Sequence, residues 1–235
     1  MSCCAIILSY KRSTNIPRIL DTLLALDEID AVIVSNNNPE TELSGLLASY
    51  LSHPRFTLIQ QAERCHCIKR FQIAAELEHD EFICIDDDVF LTENQVHYLL
   101  LQLRLNPTVP HGFNGQLECF NQDGLFLHGG VGYATHPIDV LNNGYFFTAA
   151  HVRKLFQNAA LLGLNNIADA VFIDDILLSF SGDGKPICHD IGPIEFCPSS
   201  VQEGIATYKE HAFDAIRMPP YLTLRQYAPR NHQEL

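Results

Sequence analysis

Three successive aspartates, Asp86-Asp87-Asp88, close the apolar run Phe82-Ile83-Cys84-Ile85. Adjacent carboxylates repel one another and form strands poorly, so something must offset the cost; a hard divalent cation with oxygen ligands, Mn²⁺ or Mg²⁺, does so directly. Alternate residues of an extended segment face one side, so Asp86 and Asp88 are expected to point together and Asp87 elsewhere. The alternative is a solvated acidic turn, although the triplet follows a run too apolar for an edge that leads nowhere. A second acidic pair, Asp174-Asp175, opens the apolar stretch Ile176-Leu177-Leu178-Ser179-Phe180, where carboxylates either complement a helix dipole or do acid–base or electrostatic chemistry. Arg12 and Arg70 offer guanidinium forks suited to a phosphate or a base edge, or serve as surface cations. Asn36 is a candidate ligand or a turn former before Pro39.

These groups need elements to position them. Residues 4–10 are an apolar run, and Pro17 suits the first turn of a helix ending near Leu26, with Ser13, Thr14 and Asn15 as caps. Residues 31–35 and 56–59 read as strands, and 40–52 and 68–78 have helical spacing. Glu81 to Ile85 is a further strand, and a helix over 93–105 starts after Thr92 as its cap. The alternation predicts an α/β fold, a Rossmann-like, mostly parallel central sheet with crossover helices. Ligands sit beyond the carboxyl ends of such strands, which here carry Tyr10 to Arg12, Asn36-Asn37 and the Asp triplet, so all three should line one crevice.

After Pro107 the pattern turns Gly-rich and aromatic-rich, with helices expected at about 148–161 and 170–180 and weak periodicity from Pro198 to Leu235, including Pro219-Pro220. We read a single domain, 1–235, with a nucleotide-binding half (1–106) and an acceptor-binding half (107–235). Tyr145, Phe146 and Phe147 either wall the acceptor pocket or pack in the core.

The bulk properties narrow the function. The 235 residues are 47% hydrophobic, enough for one filled core. A net charge of −13 opposes a nucleic-acid groove or an anionic membrane surface, and a phosphate-bearing substrate would need a local cation. The start of the chain carries no basic leader or membrane-spanning run, and the eight scattered cysteines suit reduced thiols, so a cytoplasmic protein is expected. Cys65-His66-Cys67 lacks the spacing and second pair of a zinc site.

With its acidic motif closing a strand of a Rossmann-like sheet, the chain resembles the GT-A glycosyltransferases. Four stretches, Ser9-Tyr10-Lys11-Arg12, Val32-Ile33-Val34-Ser35-Asn36-Asn37, Lys69-Arg70-Phe71 and Asp174-Asp175-Ile176, resemble in sequence and order the exostosin-like family, retaining N-acetylhexosaminyltransferases. Lys11 stands where that family usually has Asn. The resemblance implies transfer of a sugar from a UDP-sugar to an unknown glycan, protein or small-molecule acceptor, with Mn²⁺ or Mg²⁺ as cofactor. It implies that Tyr10, Arg12, Asn36 and Arg70 bind the donor, that Asp86 and Asp87 contact ribose or sugar, and that Asp88, with Asp86, holds the metal. It places Asp175, with Asp174, at the reacting carbon, as a general base in an inverting enzyme or a stabiliser of positive charge in a retaining one; the family precedent favours retention. His211 or His189 would supply a further metal ligand, as C-terminal histidines do in some GT-A enzymes. The rival readings are a sugar-nucleotide nucleotidyltransferase, which lacks its glycine between Ser9 and Asn15, and a non-catalytic carbohydrate-binding relative.

Overall fold

The computed structural model describes residues 1–122, 124–130, 132–209 and 212–228. In chain order its elements begin with β1 (Cys3–Ser9), α1 (Ile16–Ala25), β2 (Ala31–Asn36), β3 (Phe56–Gln60), α2 (Lys69–Ala75), β4 (Glu81–Asp86), β5 (Val89–Phe90) and α3 (Glu93–Leu105). Then come β6 (His111–Gly112), β7 (Gly115–Asn121), β8 (Gly124–Gly129), β9 (His136–Pro137), β10 (Val140–Leu141), β11 (Gly144–Thr148) and α4 (Ala149–Leu161). The remainder is α5 (Asp174–Ser179), β12 (Ile187–Cys188), β13 (Glu195–Phe196) and α6 (Phe213–Tyr227).

An eight-stranded sheet runs β3-β2-β1-β4-β11-β6-β12-β9, with β10-β7-β8 as a separate three-stranded sheet. Strand β1 lies between β2 and β4, parallel to both, and is buried at every position. This explains its unbroken apolar sequence: both faces of a parallel strand are covered by helices. Strand β11 joins the other side of β4 antiparallel, so one sheet spans both halves of the chain. It also brings the Asn142-Asn143 turn to the end of β4, where Asp86 N–H donates to Asn143 O at 2.9 Å. Asn143 makes this turn in the left-handed region, φ 63°, a conformation Asn tolerates better than most residues.

Strand period places Phe146 and Phe147 on opposite faces of β11, both fully buried. Phe147 stacks on Phe82 at 5.6 Å and meets Phe71 of α2 edge-on at 5.3 Å, so the pair belongs to the core and not to a pocket wall.

Helix α3 begins as read, with a capping box between Thr92 and Gln95. Three expectations need correction. Residues 44–52 are successive turns and not a helix: Leu43 and Leu47 bury one α-type turn, but Glu42 takes the Ser44 N–H and Gly45 adds no helix propensity. No Ser13, Thr14 or Asn15 side chain caps α1; the three form a 3₁₀ turn, and the Asn15 amide instead donates to Asp87 O at 2.8 Å. Near the end, α6 runs straight through Pro219-Pro220. The carbonyls their missing N–H groups leave belong to Ala215 and Ile216, both exposed, while Arg217, Tyr221 and Leu224 bury the opposite stripe.

His189, read as a spare metal ligand, lies in the core. Its Nε2 is 2.8 Å from His111 Nδ1, with the rings stacked at 5.1 Å, while His111 Nε2 faces Asn106 O at 2.8 Å. A carbonyl only accepts, so His111 Nε2 carries the proton and His111 Nδ1 accepts from His189. Burial lowers both pKa values, His189 to about 4, and burial also takes nearby His151 to about 4. The unfolded chain binds these protons near pH 6.5, the folded chain only at lower pH, near 4 for His189 and His151. Stability is therefore fully present above about pH 6.5 and lost as pH falls toward 4. Thermal unfolding should show Tm dropping between pH 7 and pH 5, with a shallower slope in His189→Gln; an unchanged slope would remove this pair from the acid response.

Candidate active site

A cleft of about 820 Å³ opens at the carboxyl ends of β1, β2 and β4 and is lined there by Tyr10, Lys11, Arg12, Asn37, Asp86, Asp87 and Asp88. The crevice read from strand ends is thus present, with one exchange. Asn36 does not line it: its Nδ2 donates to Thr41 O at 2.5 Å and Gln60 Oε1 at 2.9 Å, and its Oδ1 accepts from Asn38 N–H. The last residue of β2 points across the sheet edge, and Asn37, one residue on, faces the cleft.

The triplet does not alternate as expected, because β4 stops at Asp86 and residues 87 and 88 form a turn into β5. Arg12 therefore reaches both Asp87, Nη1 to Oδ1 at 3.0 Å, and Asp88, Nη2 to Oδ2 at 3.2 Å. Asp87 Oδ2 also accepts from Tyr10 N–H at 3.1 Å, and Arg12 Nε donates to Ser199 Oγ at 2.9 Å. Asp86 faces a different cation: Arg70 Nη1 donates to its Oδ1 at 2.7 Å. Arg70 is almost fully buried on α2, lies over the Tyr145 ring at 5.1 Å, and stands 3.8 Å from Asp174 Oδ2.

Asp174 and Asp175 occupy the first turn of α5 and are both buried. Asp175 Oδ1 accepts from Ile176 N–H at 2.8 Å and from Arg217 Nη1 at 2.7 Å. With the Asn142 amide turned so that its nitrogen meets acceptors, it donates to Asp175 Oδ2 at 3.2 Å. Arg217 further donates to Phe172 O at 2.6 Å and Gln116 Oε1 at 2.8 Å. Arg217 had no place in the sequence reading because the prolines two and three residues on disguised its helix. The spacing of Arg217, Tyr221 and Leu224 along one face was the available signal.

Five carboxylates against three guanidiniums leaves two negative charges. Burial, then Asp86, pushes the Asp88 carboxyl up to about 7 against the pull of Arg12; burial raises Asp174 to about 7 despite Arg70 and raises Asp87 as well. Asp88 Oδ1 is buried and has no hydrogen-bond partner among the described residues, a cost that a cation ligated there would remove. Among the described residues no three His, Cys, Asp or Glu side chains form a complete metal cage. His211 lies outside the described residues.

No family model and no curated protein matches the chain. Solved structures do. The chain is similar to S. aureus TarS 1–349, with a TM-score of 0.54 and 13% identity over 85% of this chain and 61% of that one. It is also similar to GalNAc-T7 determined with UDP, GalNAc and Mn²⁺, with a TM-score of 0.59 and 9% identity over 94% of this chain and 50% of that one. The chain thus spans between half and two thirds of each. At these identities the likeness shows the fold, and that fold is the GT-A glycosyltransferase fold.

The Arg217–Asp175 pair is buried on both sides, so Arg217→Ala strands a carboxylate. Urea unfolding should show a loss of about 3 kcal/mol. Adding Asp175→Asn should recover part of it, since the neutral amide no longer needs the cation; a double variant as weak as the sum of its parts would mean the two side chains act separately.

Proposed function

We propose that the chain is a metal-dependent glycosyltransferase that moves a sugar, an N-acetylhexosamine, from a UDP-sugar to an acceptor hydroxyl with retention. The observation that carries this reading is the unpartnered Asp88 Oδ1, buried at the carboxyl end of β4 in a cluster where five carboxylates share three guanidiniums. Asp88 and Asp86 would hold Mn²⁺ or Mg²⁺. Such ions take one or two carboxylates and complete their shell with water and substrate phosphate, so the incomplete protein cage suits a ligand that brings a diphosphate. A cation held there would supply positive charge to neutralise the departing diphosphate. The GalNAc-T7 structure with UDP, GalNAc and Mn²⁺ supports this choice of donor and metal, and the exostosin-like stretches support the sugar and the retention.

Tyr10, Arg12 and Asn37 bound the nucleotide end, and Arg70 with Asp86 and Asp87 orients the sugar. Transfer breaks the bond between the sugar C1 and the diphosphate oxygen, which keeps the electron pair; the acceptor oxygen bonds to C1, and its proton passes to the departing diphosphate. UDP and the new glycoside are the only products. Both oxygens of Asp175 are already engaged by donors, which leaves it poorly placed to take a proton or attack carbon. It is suited instead to a fixed negative charge beside the positive charge that develops at C1.

No helix among the described residues is long and apolar enough to cross a membrane. All eight cysteines are free thiols, which supports a reducing, cytoplasmic setting. The net charge of −13 argues against a nucleic-acid partner.

Calorimetry should find that Asp88→Ala loses Mn²⁺-dependent UDP affinity by about tenfold or more while remaining folded; unchanged affinity would sink the metal assignment. Asp175→Asn should keep UDP binding and lose transfer by about a hundredfold, and equal turnover would leave Asp175 as a helix-end charge only.

A further inference from the structure

The cleft has two chemically different ends. The end beside β1 and β2 is cationic, with Lys11, Arg12 and Arg64 around Tyr10. The other end is lined by carboxamides, glycines and aromatic rings: Asn114, Gln116, Asn142, Gly130, Phe172 and Phe213. From this contrast we infer that the second end is an acceptor subsite for an uncharged sugar, its ring face laid on Phe172 and Phe213 and its hydroxyls on the carboxamides. The inference rests on the glycosyltransferase reading and adds the acceptor class to it.

Phe172 is held in the left-handed region, φ 63°, which strains an aromatic residue and is maintained by its carbonyl bond from Arg217. Its ring meets Phe213 at 5.5 Å and His66 edge-on at 6.4 Å, and Arg217 lies over Phe213 at 4.8 Å. Both phenylalanines are half-buried, so part of each ring faces the cleft. An aromatic face beside fixed amides matches a pyranose, which has an apolar C–H face and a rim of hydroxyls that both donate and accept. Gly130, φ 80°, has none of the described residues within 4 Å of where a Cβ would stand, which suits a rim that admits the rest of a glycan.

Charge selects among sugars. Among the described residues the acidic groups at this end are Asp174, Asp175 and exposed Asp214; of the guanidiniums facing them, Arg70 is spent on Asp86 and Asp174, and Arg217 on Asp175, Phe172 O and Gln116. A uronic acid, sialic acid or phosphorylated acceptor would meet net negative charge there, with neither Arg70 nor Arg217 free to pair with it. A peptide hydroxyl would leave the aromatic platform and most of the carboxamides unused.

The test offers the protein, with Mn²⁺ and UDP-GlcNAc or UDP-GalNAc, aryl glucoside, galactoside and N-acetylglucosaminide, an aryl glucuronide, and a Ser/Thr peptide, reading UDP release and product mass. A neutral glycoside should be used at a kcat/KM about tenfold or more above the glucuronide and the peptide. Phe213→Ala should raise the glycoside KM about tenfold with UDP affinity unchanged. Asp214→Lys, at an exposed position in the first turn of α6, should raise the glucuronide-to-glucoside ratio several-fold. Preference for the glucuronide or peptide, no use of any neutral glycoside while UDP still binds, or an unchanged ratio in Asp214→Lys would overturn the acceptor class and leave the donor reading standing. Failure of UDP to bind at all would overturn both.

Discussion

Five carboxylates gathered in one mostly buried cleft are tolerable only with cations beside them, and the three guanidiniums that supply them come from distant parts of the chain. Arg12 follows β1, Arg70 sits on α2 and Arg217 on α6, so the ion pairs join the end of β1 and α2 to the end of β4, and α6 to α5. The demand is energetic before it is functional. An unpaired carboxylate inside the protein either pulls in a counter-charge or takes up a proton, and burial raises Asp88 and Asp174 although Arg12 and Arg70 pull them down. What remains is an acidic cluster whose charge is only partly matched by the guanidiniums beside it.

The sheet converts this charge into a site. Parallel strands β1, β2 and β4 all end at one edge, and their buried length leaves only the terminal residues free to be polar. Antiparallel β11 then returns beside β4 and delivers Asn142 and Asn143 to the same edge. Asn143 O holds the Asp86 backbone and Asn142 reaches Asp175, so one turn links the triplet to the acidic pair. The triplet and the acidic pair are therefore held in register by one short turn, through a main-chain bond at Asp86 and a side-chain amide at Asp175.

The parts legible in the sequence were those decided locally. Apolar runs gave away β1, β2 and β4, and Thr92 with Gln95 marked the start of α3, because burial on both faces and a capping box each leave a pattern within a few residues. The Asp triplet, Arg12 and Arg70 were found as residue types at strand or helix ends, and the fold brings them to one cleft. What escaped depended on distant contacts or on a single-residue offset. Asn36 and Asn37 differ only in which side of the sheet edge they face. Asp86 and Asp88 part company because a turn replaces one more residue of strand. Arg217 was hidden by Pro219-Pro220, whose helix-breaking tendency is outweighed by burial of Arg217, Tyr221 and Leu224. The run from 40 to 52 misled in the other direction, since Leu43 and Leu47 have helical spacing but anchor turns.

The account turns on whether the acidic cluster receives a cation together with a nucleoside diphosphate. Thermal unfolding with Mn²⁺ alone, UDP alone and the two together tests this directly, because only ligands bound to the folded state raise the midpoint. The pair should raise Tm by clearly more than the sum of the separate shifts, and chelation with EDTA should abolish the excess. Additive shifts, or a UDP shift that survives EDTA, would contradict a shared metal–diphosphate site at Asp86-Asp87-Asp88.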